Sequence, residues 1–433
     1  MVYMRVLRRS PRKDPSASLL QAVFGRDYLR DFDVRLPDGT TLPSITGQRA
    51  FTFAVNTSGA LRSAFMPPFE LNAGTAFVDG AIDIEGDLTA AIALLHRSGA
   101  ARTIFERARI ARALRRLPRE THAPDRAHLH GKMHSRERDR AAISYHYDQP
   151  LGFYAAFLDS DLVYSCAYYD DGIQTLDEAQ SAKLNYVLHK LRLRPGMRFL
   201  DIGCGWGSLV IRAAQHGAQA LGITLSQTQY DEANRRIAEA GLQDRARVLL
   251  CDYRDLQHAT FDRIASIGMV EHVGRAKLHE YFRSAWRALV PGGLFLNHGI
   301  AEQSPGRKAR ANPFIERYVF PDGDLVAVSD ANAIAERVGF EVRDVENLRE
   351  HYAKTLRAWV ANLETHRNEA VLLAGETAYR IWRLYMAASA VSFEGGSIGI
   401  HQSLLAKPDS DGRVVIPPTR RDLYATNPLP IQT

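Results

Sequence analysis

Apolar residues recur along this chain with two different periods, and the change of period divides it into predicted parts. In residues 28–85 the period is two, as in β-strands, in three runs: Phe32, Val34 and Leu36; Phe51, Phe53 and Val55; Ile82 and Ile84. Glycines and the Pro67-Pro68 pair interrupt these runs. We therefore predict a small α+β domain over residues 1–100.

Residues 101–119 carry a helical period instead. One face of the predicted helix is apolar, with Ile104, Ala108, Ala111, Leu114 and Leu117 three or four positions apart. Arginines occupy many of the other positions: Arg102, Arg107, Arg109, Arg112, Arg115, Arg116 and Arg119. Two interpretations stay open: a solvated helix packed on the neighbouring domain, or a helix lying on an anionic phospholipid surface. Charged residues continue to position 140, so 101–140 is predicted to be a basic helix and a linker.

From about residue 145 onwards, short strand-like runs alternate with longer helical patterns. The expected strands are 198–202, 219–224, 247–251, 261–267 and 293–299, and the expected helices are 178–192, 207–216, 227–240 and 276–289. This alternation is typical of a parallel, doubly wound sheet. We assign residues 141–433 to one α/β domain with a Rossmann-like sheet.

Composition indicates which kind of partner and which cellular compartment to expect for the protein. The 433 residues include 55 Lys and Arg against 49 Asp and Glu, and this mild basic excess favours an anionic partner such as phospholipid or nucleic acid. Three cysteines without a CxxC pair favour a reducing cytoplasm and argue against a zinc site, so no metal is expected. The sequence lacks the pattern of a signal peptide and of a membrane span. We expect a soluble protein whose membrane contact is at most peripheral.

Residues 199–208 read FLDIGCGWGS and connect a predicted strand to a predicted helix. Gly203, Gly205 and Gly207 let the backbone turn and approach a ligand without Cβ clashes. In open α/β sheets, ligands bind beyond the C-terminal ends of the strands, where this turn lies. The motif therefore predicts a cofactor site.

Two residues of this turn indicate which cofactor is expected. A dinucleotide-binding G-x-G-x-x-G motif would need glycine at position 208, which is Ser208. Asp201 would repel a pyrophosphate, but it suits the cationic methionyl end of S-adenosylmethionine (SAM). A nicotinamide or flavin enzyme is therefore disfavoured, and a SAM-dependent methyltransferase is predicted.

The next two strands predict the remainder of the cofactor site. The second strand ends at Thr224-Leu225, with Gln229 one helical turn later. A hydroxyl and an amide can form the ribose hydrogen bonds that Asp or Glu usually forms at this place. The third strand leads into Asp252 and Tyr253. We expect Asp252 near the adenine amino group and Tyr253 stacked on the adenine ring.

Seven motifs between residues 146 and 405 carry a resemblance to a known family. They read YSCAY, LDIGCGWG, GITLSQTQ, DYRDL, FDRIASIGMVEHVG, RYVFPDG and HYAKTLRAW. The chain resembles the cyclopropane fatty acid synthase family, which includes the mycolic acid cyclopropane synthases. The resemblance implies a Rossmann-like SAM-dependent methyltransferase domain with a helical cap. The N-terminal α+β domain is similar to the lipid-associated domain of longer bacterial members.

The resemblance also implies an activity, namely transfer of a methylene group from SAM to the cis double bond of an unsaturated acyl chain in a phospholipid. The reaction passes through a carbocation, which a bound bicarbonate ion deprotonates. The implied location is the inner, cytoplasmic face of the membrane, and family members often form homodimers. A methylene- or methyl-branching fatty acid methyltransferase on the same scaffold is the alternative.

Site residues follow from the matching motif positions. The bicarbonate and reaction site is implied to contain Cys166 (through its backbone amide), Glu271, His298, Ile300 and Tyr352. The donor site is implied to contain Tyr164, Ser165, Gly203, Thr224, Gln229 and Tyr253.

Two further classes of function are disfavoured. We call the turn with Gly203, Gly205 and Gly207 the cradle. A non-catalytic lipid-binding protein that retained only a remnant of this cradle would not need intact Gly203, Gly205, Glu271 and His298. A nucleic-acid methyltransferase would be expected to carry an Asn/Asp-Pro-Pro-Tyr/Phe motif or a Pro-Cys nucleophile, and the sequence has neither. No nucleic-acid partner is therefore expected.

Overall fold

The computed structural model describes residues 15–99, 103–118, 135–139, 141, 149–173, 175–256, 259–303, 312–414 and 416–423. The basic N-terminus and most of the predicted linker lie outside these residues. The chain forms two compact units. Of the described residues, 15–99, 103–118, 312–318 and 375–391 belong to the first unit, and the second unit contains the others.

The first unit contains a four-stranded sheet in the order β2-β1-β3-β4. Its strands are β1 Phe32–Arg35, β2 Thr41–Leu42, β3 Phe51–Val55 and β4 Ile82–Gly86. Strand β3 is parallel to β1 and antiparallel to β4. Five helices accompany it in the described N-terminal residues: α1 Pro15–Phe24, α2 Ala60–Ala64, α3 Phe69–Val78, α4 Leu88–Gly99 and α5 Ile104–Leu114. The alternating apolar runs therefore form the strands that their period predicts.

Two segments from late in the chain complete the first unit. The domain assignment from sequence had placed both segments in the α/β domain. They are α12 Pro313–Tyr318 and the second half of α15 Arg367–Glu394, which bends at Gly375 (φ 83°, ψ 160°). Arg380 of α15 donates a 2.7 Å hydrogen bond to the carbonyl of Phe77 and pairs with Asp83 at 3.2 Å. These contacts join residues about three hundred positions apart, so no local pattern indicates them.

Helix α5 and the residues that follow it bury only part of the predicted face. Ile110, Leu114 and Leu117 are buried, whereas Ala108 and Ala111 are exposed. The buried positions are four and three residues apart, and the helix packs against α1. The prediction was correct for Leu114 and Leu117 and wrong for the two alanines, because small alanines carry too little apolar surface to decide which side is buried.

The second unit contains a seven-stranded sheet in the order β10-β11-β9-β8-β5-β6-β7. The strands are β5 Arg198–Ile202, β6 Gln219–Thr224, β7 Ala246–Leu250, β8 Phe261–Ile267, β9 Leu289–Glu302, β10 Glu341–Asn347 and β11 Ile398–Ala406. The predicted Rossmann-like α/β fold is confirmed, and five strands lie at or close to their predicted positions. The sheet is not wholly parallel, because β10 and β11 pair antiparallel at one edge. Strand β10 was missed because its residues are polar and only half-buried.

Helices cover both faces of this sheet. They are α6 Leu151–Ala155, α7 Leu176–Lys190, α8 Ser208–Gln215, α9 Gln227–Glu239, α10 Val270–Val273, α11 Leu278–Ala288, α13 Val328–Val338, α14 Arg349–Thr365 and the first part of α15. One apolar core forms beneath α7, α8 and α9, and another beneath α11 and α13. In the part of the chain that the structure describes, no helix is both long and apolar enough to cross a membrane.

Candidate active site

The turn after β5 has the conformation that its glycines permit. Gly203, Gly205 and Gly207 have φ values of 79°, 54° and 84°, which lie in the left-handed region that favours glycine. The amides of Gly203 and Cys204 both donate to the carbonyl of Ile223 at 3.0 Å. Gly207 is the N-cap residue of α8. The turn is thereby tied to β6 and exposes its backbone at the C-terminal edge of the sheet.

A cavity opens beside this turn. Most of the predicted donor-site residues line it: Tyr164, Ser165, Gly203, Gly205, Thr224, Leu225, Gln229 and Tyr253. Lys183, Met269 and His272 also line it. Asp201, Gly207 and Asp252 do not, although each adjoins a residue or helix that does.

Asp201 lies buried at the end of β5, one residue before the cavity wall begins at Ile202. Its Oδ1 atom has no hydrogen-bond partner among the described residues. Burial raises the pKa of its carboxyl to about 7, and the nearby Lys183 acts in the opposite direction. A buried carboxylate oxygen without a partner fits a cationic ligand group, because such an atom otherwise costs free energy.

Thr224 orients Gln229 at the other side of the cavity. The Thr224 hydroxyl donates a 2.7 Å hydrogen bond to Oε1 of Gln229, and Thr224 accepts a 3.1 Å bond from the amide of Ser226. Ser226 in turn caps α9 by accepting a 3.3 Å bond from the Gln229 amide. The two polar side chains are therefore held in one arrangement, facing the place where ribose hydroxyls were expected.

Asp252 has a different partner from the predicted adenine. Its Oδ1 accepts hydrogen bonds of 2.8 and 2.9 Å from Arg254, and its Oδ2 accepts a third of 2.6 Å. Arg254 also contacts Asp139 at 3.1 Å. Tyr253 is buried, lines the cavity and meets Tyr281 edge-on with ring centroids 5.5 Å apart. An aromatic ring is thus present at the predicted place, with the neighbouring carboxylate turned to an arginine.

Glu271 and Ile300 are brought together at the end of β9. Oε1 of Glu271 accepts a 2.7 Å hydrogen bond from the Ile300 amide, whereas Oε2 has no such partner in the described part of the chain. Burial raises the pKa of Glu271 to about 7, although the Ile300 amide favours the ionised form. Helix α10 packs closely here, because a Cβ on Gly299 would come within 2.1 Å of Val270. Ile300, which the resemblance places at the bicarbonate site, thus contacts Glu271 through its backbone amide.

His298 is fully buried on β9 beside Gln402 of β11. Its Nδ1 lies 3.4 Å from Nε2 of Gln402, and its Nε2 has no partner among the residues described. Burial first, and then Lys183, Lys190 and His401, keep the pKa of His298 well below its usual value, so the ring is neutral. No hydrogen bond between described atoms joins His298 to Glu271.

Cys166 and Tyr352 are both buried; Cys166 lies against the start of α14, and Tyr352 belongs to the first turn of that helix. The Cys166 thiol contacts the carbonyls of Ala167 and Leu348 at 3.3 and 3.8 Å. Burial raises the pKa of this thiol, so it is not a thiolate nucleophile. The Tyr352 ring packs on Phe393, with centroids 4.8 Å apart.

Two polar residues at this site were missed by the sequence analysis, namely Lys183 and Gln402. A signal for Lys183 existed: Gln180, Lys183, Val187 and Lys190 recur three or four positions apart on α7, and all four are buried. Lysines at such positions are usually taken as solvated. Gln402 lies on a strand that was not predicted, so its pairing with His298 could not be foreseen.

Comparison with known proteins identifies similar chains. A family model described as mycolic acid cyclopropane synthetase matches residues 134–403. A probable fatty acid methyltransferase of Pseudomonas putida is 43% identical over 356 residues, which are 81% of this chain and 86% of that protein. Cyclopropane mycolic acid synthase 1 of Mycobacterium tuberculosis is 35% identical over 274 residues, 60% of this chain and 95% of that protein.

A solved structure is also similar to part of this chain. The crystal structure of mycolic acid cyclopropane synthase CmaA1 complexed with SAH and CTAB has a TM-score of 0.59 at 35% sequence identity. The match covers 62% of this chain and 98% of that one.

Proposed function

This chain belongs to the mycolic acid cyclopropane synthetase family of SAM-dependent methyltransferases, and on that basis we propose that it forms cyclopropane rings on phospholipid acyl chains. The proposed substrate is the cis double bond of an unsaturated chain, and the transferred unit is a methylene group. The observation that carries the proposal is that the same unit contains a glycine cradle and two buried polar atoms, Glu271 Oε2 and His298 Nε2, which have no hydrogen-bond partner among the described residues.

The donor site is proposed from the residues around the cradle. When bound, SAM supplies an electrophilic methyl group on a cationic sulfur. Asp201 would favour the positive methionyl end through its charge, and Thr224 with Gln229 would bind the ribose hydroxyls. Tyr253 would provide a flat apolar contact for the adenine ring. The binding of SAH in the homologous synthase supports this assignment.

An alkene is a weak nucleophile, so the reaction depends on positioning and on the exclusion of water. Attack on the methyl group leaves a carbocation on the acyl chain, and loss of a proton from the new methyl group closes the ring. Oε2 of Glu271 is shielded from solvent and His298 is fully buried, so these groups offer the dry surroundings that this cation needs.

Bicarbonate is the proposed acceptor of that proton. When bound, it supplies a base next to the acyl chain. Glu271 would accept a hydrogen bond from its hydroxyl through Oε2, while the neutral ring of His298 and the phenol of Tyr352 would hold its other oxygens. The Ile300 amide would contribute indirectly, by orienting Glu271.

Access to phospholipid is proposed to involve α5 and the residues that follow it. Arg112, Arg115 and Arg116 are exposed, and Phe105 on the same helix is 87% exposed. The apolar stripe of α5 is occupied by packing against α1, so the proposed contact uses charge and one aromatic ring instead of an inserted apolar face. A peripheral location on the cytoplasmic face follows from this proposal, and the homodimer stays a prediction.

A methylene- or methyl-branching activity is the second candidate. The relative named probable fatty acid methyltransferase aligns with 81% of this chain, more than the mycolic acid synthase does. Both products start from the same carbocation: direct loss of a methyl proton closes the ring, whereas a hydride shift to the cationic carbon before that loss leaves a methylene branch. Small changes at the acyl pocket would decide between these two outcomes, and a saturated methyl branch would need a hydride donor in addition.

Expression in a bacterium that contains monounsaturated phospholipids tests both candidates. Mass spectrometry of the fatty acids should show a gain of one CH2 group, dependent on the protein. Proton NMR then separates cyclopropane protons from vinyl protons of a branched product. An unchanged fatty acid profile, from a strain with abundant folded protein, would contradict both candidates.

A further inference from the structure

Helix α7 buries two lysines on the same face, and their surroundings differ. Lys183 and Lys190 are each 1% exposed. Lys190 is neutralised by Glu346 and by Asp344 at 3.6 Å, and its ammonium lies 4.6 Å from the centre of the Tyr186 ring. Lys190 is thus an ordinary buried ion-pair residue of the protein interior.

Lys183 has no such ion pair within the described part of the chain. Its Nζ donates a 3.0 Å hydrogen bond to the Ser165 hydroxyl, and its side chain lines the cofactor cavity. An ammonium group has three N–H donors, so one neutral hydrogen bond leaves most of its capacity unused. A buried charge in this state is costly unless an anion joins it.

The cation keeps its proton despite this cost. Burial lowers the pKa of Lys183 to about 8, and attraction by Asp159 and Asp201 limits the decrease. Asp201 is the reciprocal case, since it is a buried carboxyl next to the cavity-lining Ile202, and its Oδ1 has no hydrogen-bond partner among the described residues. A positive group in the cavity wall and a negative group just behind it are therefore both incompletely compensated.

We propose that Lys183 binds the α-carboxylate of the methyl donor, opposite the negative charge that Asp201 offers to its cationic groups. This inference rests on the proposed donor site. The methionyl end of SAM carries an ammonium and a carboxylate on one carbon, so a pocket with one anion and one cation matches it in charge. Ser165, which Lys183 holds by the 3.0 Å hydrogen bond, adds a hydroxyl at the same place.

A purely structural role for Lys183 makes a different prediction. Asp159 is buried and accepts hydrogen bonds from the amides of Val163 and Asp161 at 2.9 and 3.1 Å, and in a purely structural role Lys183 would serve only as its counter-ion. Loss of Lys183 would then loosen the 159–165 segment and weaken every ligand of the cavity equally. Binding of the carboxylate predicts a selective loss instead.

Calorimetric titration with two ligands separates these roles. The probes are S-adenosylhomocysteine and its decarboxylated analogue, which keeps the amine and lacks the carboxylate. The wild-type protein should bind S-adenosylhomocysteine about tenfold to a hundredfold more tightly, as expected for a charge-assisted hydrogen bond. Lys183→Gln, which retains an N–H donor for Ser165, should lose most of this preference and bind the analogue almost as the wild type does.

Lys190→Gln is the matched control, because it removes an equally buried lysine of the same helix outside the cavity. It should leave the ratio of the two affinities unchanged, and thermal melting shows whether each variant is folded. A Lys183→Gln variant that weakens both ligands equally overturns the proposal, as does a wild-type protein without preference.

The wild-type protein alone provides a second test if the variant fails to fold. Carboxylate binding raises the pKa of Lys183 above its free value of about 8, so the preference should be full below pH 8 and decline as the pH rises beyond it. A preference that stays constant to pH 10 overturns the proposal. If the wild type binds neither ligand, the donor site itself is wrong, which distinguishes failure of the proposed function from failure of this inference.

Discussion

The carboxylate of Glu271 and the backbone amide of Ile300 are joined by a hydrogen bond of 2.7 Å between α10 and β9. This bond orients the side chain, so that Oε1 is engaged and Oε2 is left buried without a partner among the described residues. Because the bond needs only a carbonyl-type acceptor, it can survive the loss of the negative charge. The position therefore allows geometry and charge to be tested separately.

The Glu271→Gln variant should keep its hydrogen bond to Ile300 and lose the negative charge that would accept a hydrogen bond from the bicarbonate hydroxyl. We expect S-adenosylhomocysteine affinity within about twofold of the wild type and turnover reduced by an order of magnitude or more. Calorimetry and analysis of lipid products measure the two quantities. Glu280→Gln, an exposed residue paired with Lys277, is the control and should change neither. Unimpaired turnover in Glu271→Gln would show that the proton-accepting site is wrongly assigned.

The pH dependence of turnover should report the ionisation of Glu271. Burial raises its pKa to about 7, so the carboxylate form is lost as the pH falls through this value. At saturating donor, kcat should decrease about tenfold per pH unit well below pH 7. The residual rate of Glu271→Gln should lack this decrease. An identical acid limb in both proteins would assign it to another group.

The same raised pKa has a consequence for stability. Between about pH 4.5 and 7 the folded chain holds the Glu271 proton more tightly than the unfolded chain, so stability falls as pH rises through this window. Glu271→Gln removes this cost and should raise the free energy of unfolding by about 1–3 kcal/mol at pH 8. The gain should be much smaller at pH 4.5. Urea unfolding at both values measures it, and a variant less stable than the wild type at pH 8 would contradict the expectation.

Gly222 on β6 should be intolerant of a methyl group. A Cβ there would lie 2.7 Å from the Cys204 sulfur and 2.8 Å from Val210. Gly222→Ala should therefore cost about 1–3 kcal/mol of stability. It should also weaken S-adenosylhomocysteine binding, because Cys204 belongs to the cradle. Gly323→Ala, where the nearest atom is 3.4 Å away, is the control for urea unfolding and calorimetry. Equal stability of both variants would mean that the cradle relaxes without cost.

Reversing the charge of Arg112, Arg115 and Arg116 to glutamate should weaken binding to vesicles of anionic phospholipid. The loss should be several-fold at low salt and smaller at high salt, because exposed charges are screened. Vesicle co-sedimentation measures it. Reversal of Arg283, Arg287 and Arg337, which are exposed residues of the second unit, gives the same change in net charge as a control. Equal affinity of the wild type and the first variant would contradict the proposed phospholipid contact and indicate a purely structural role for α5.

The sequence and the structure agree most closely along the first part of the parallel sheet. Strands β5, β6 and β8 begin and end at the predicted residues, because their apolar runs and the flanking turns are local features. The family was likewise recognised from short motifs and is confirmed by the match over residues 134–403. The antiparallel pair β10 and β11 was missed, since one strand is polar and the other follows a long helical region.

The candidate site was likewise predictable only in part. The turn at Gly203, Gly205 and Gly207 was predictable because left-handed backbone at these positions requires glycine, whatever surrounds it. The partners of individual polar groups were not predictable. Asp252 is bound by Arg254, the Ile300 amide is bound by Glu271, and both were expected to face a ligand.

Local chain chemistry was thus sufficient for the fold class, the cofactor cradle and the family, because periodicity, turns and short motifs depend on residues close together in sequence. Three-dimensional packing alone determined which charges are compensated. Lys183 and Lys190 have the same spacing pattern and burial. They differ in the segments that pass beside them: Lys190 forms an ion pair with a residue of β10, whereas Lys183 faces the cavity. Electrostatic free energies depend on neighbours in space, and here those neighbours come from segments up to about 160 positions away.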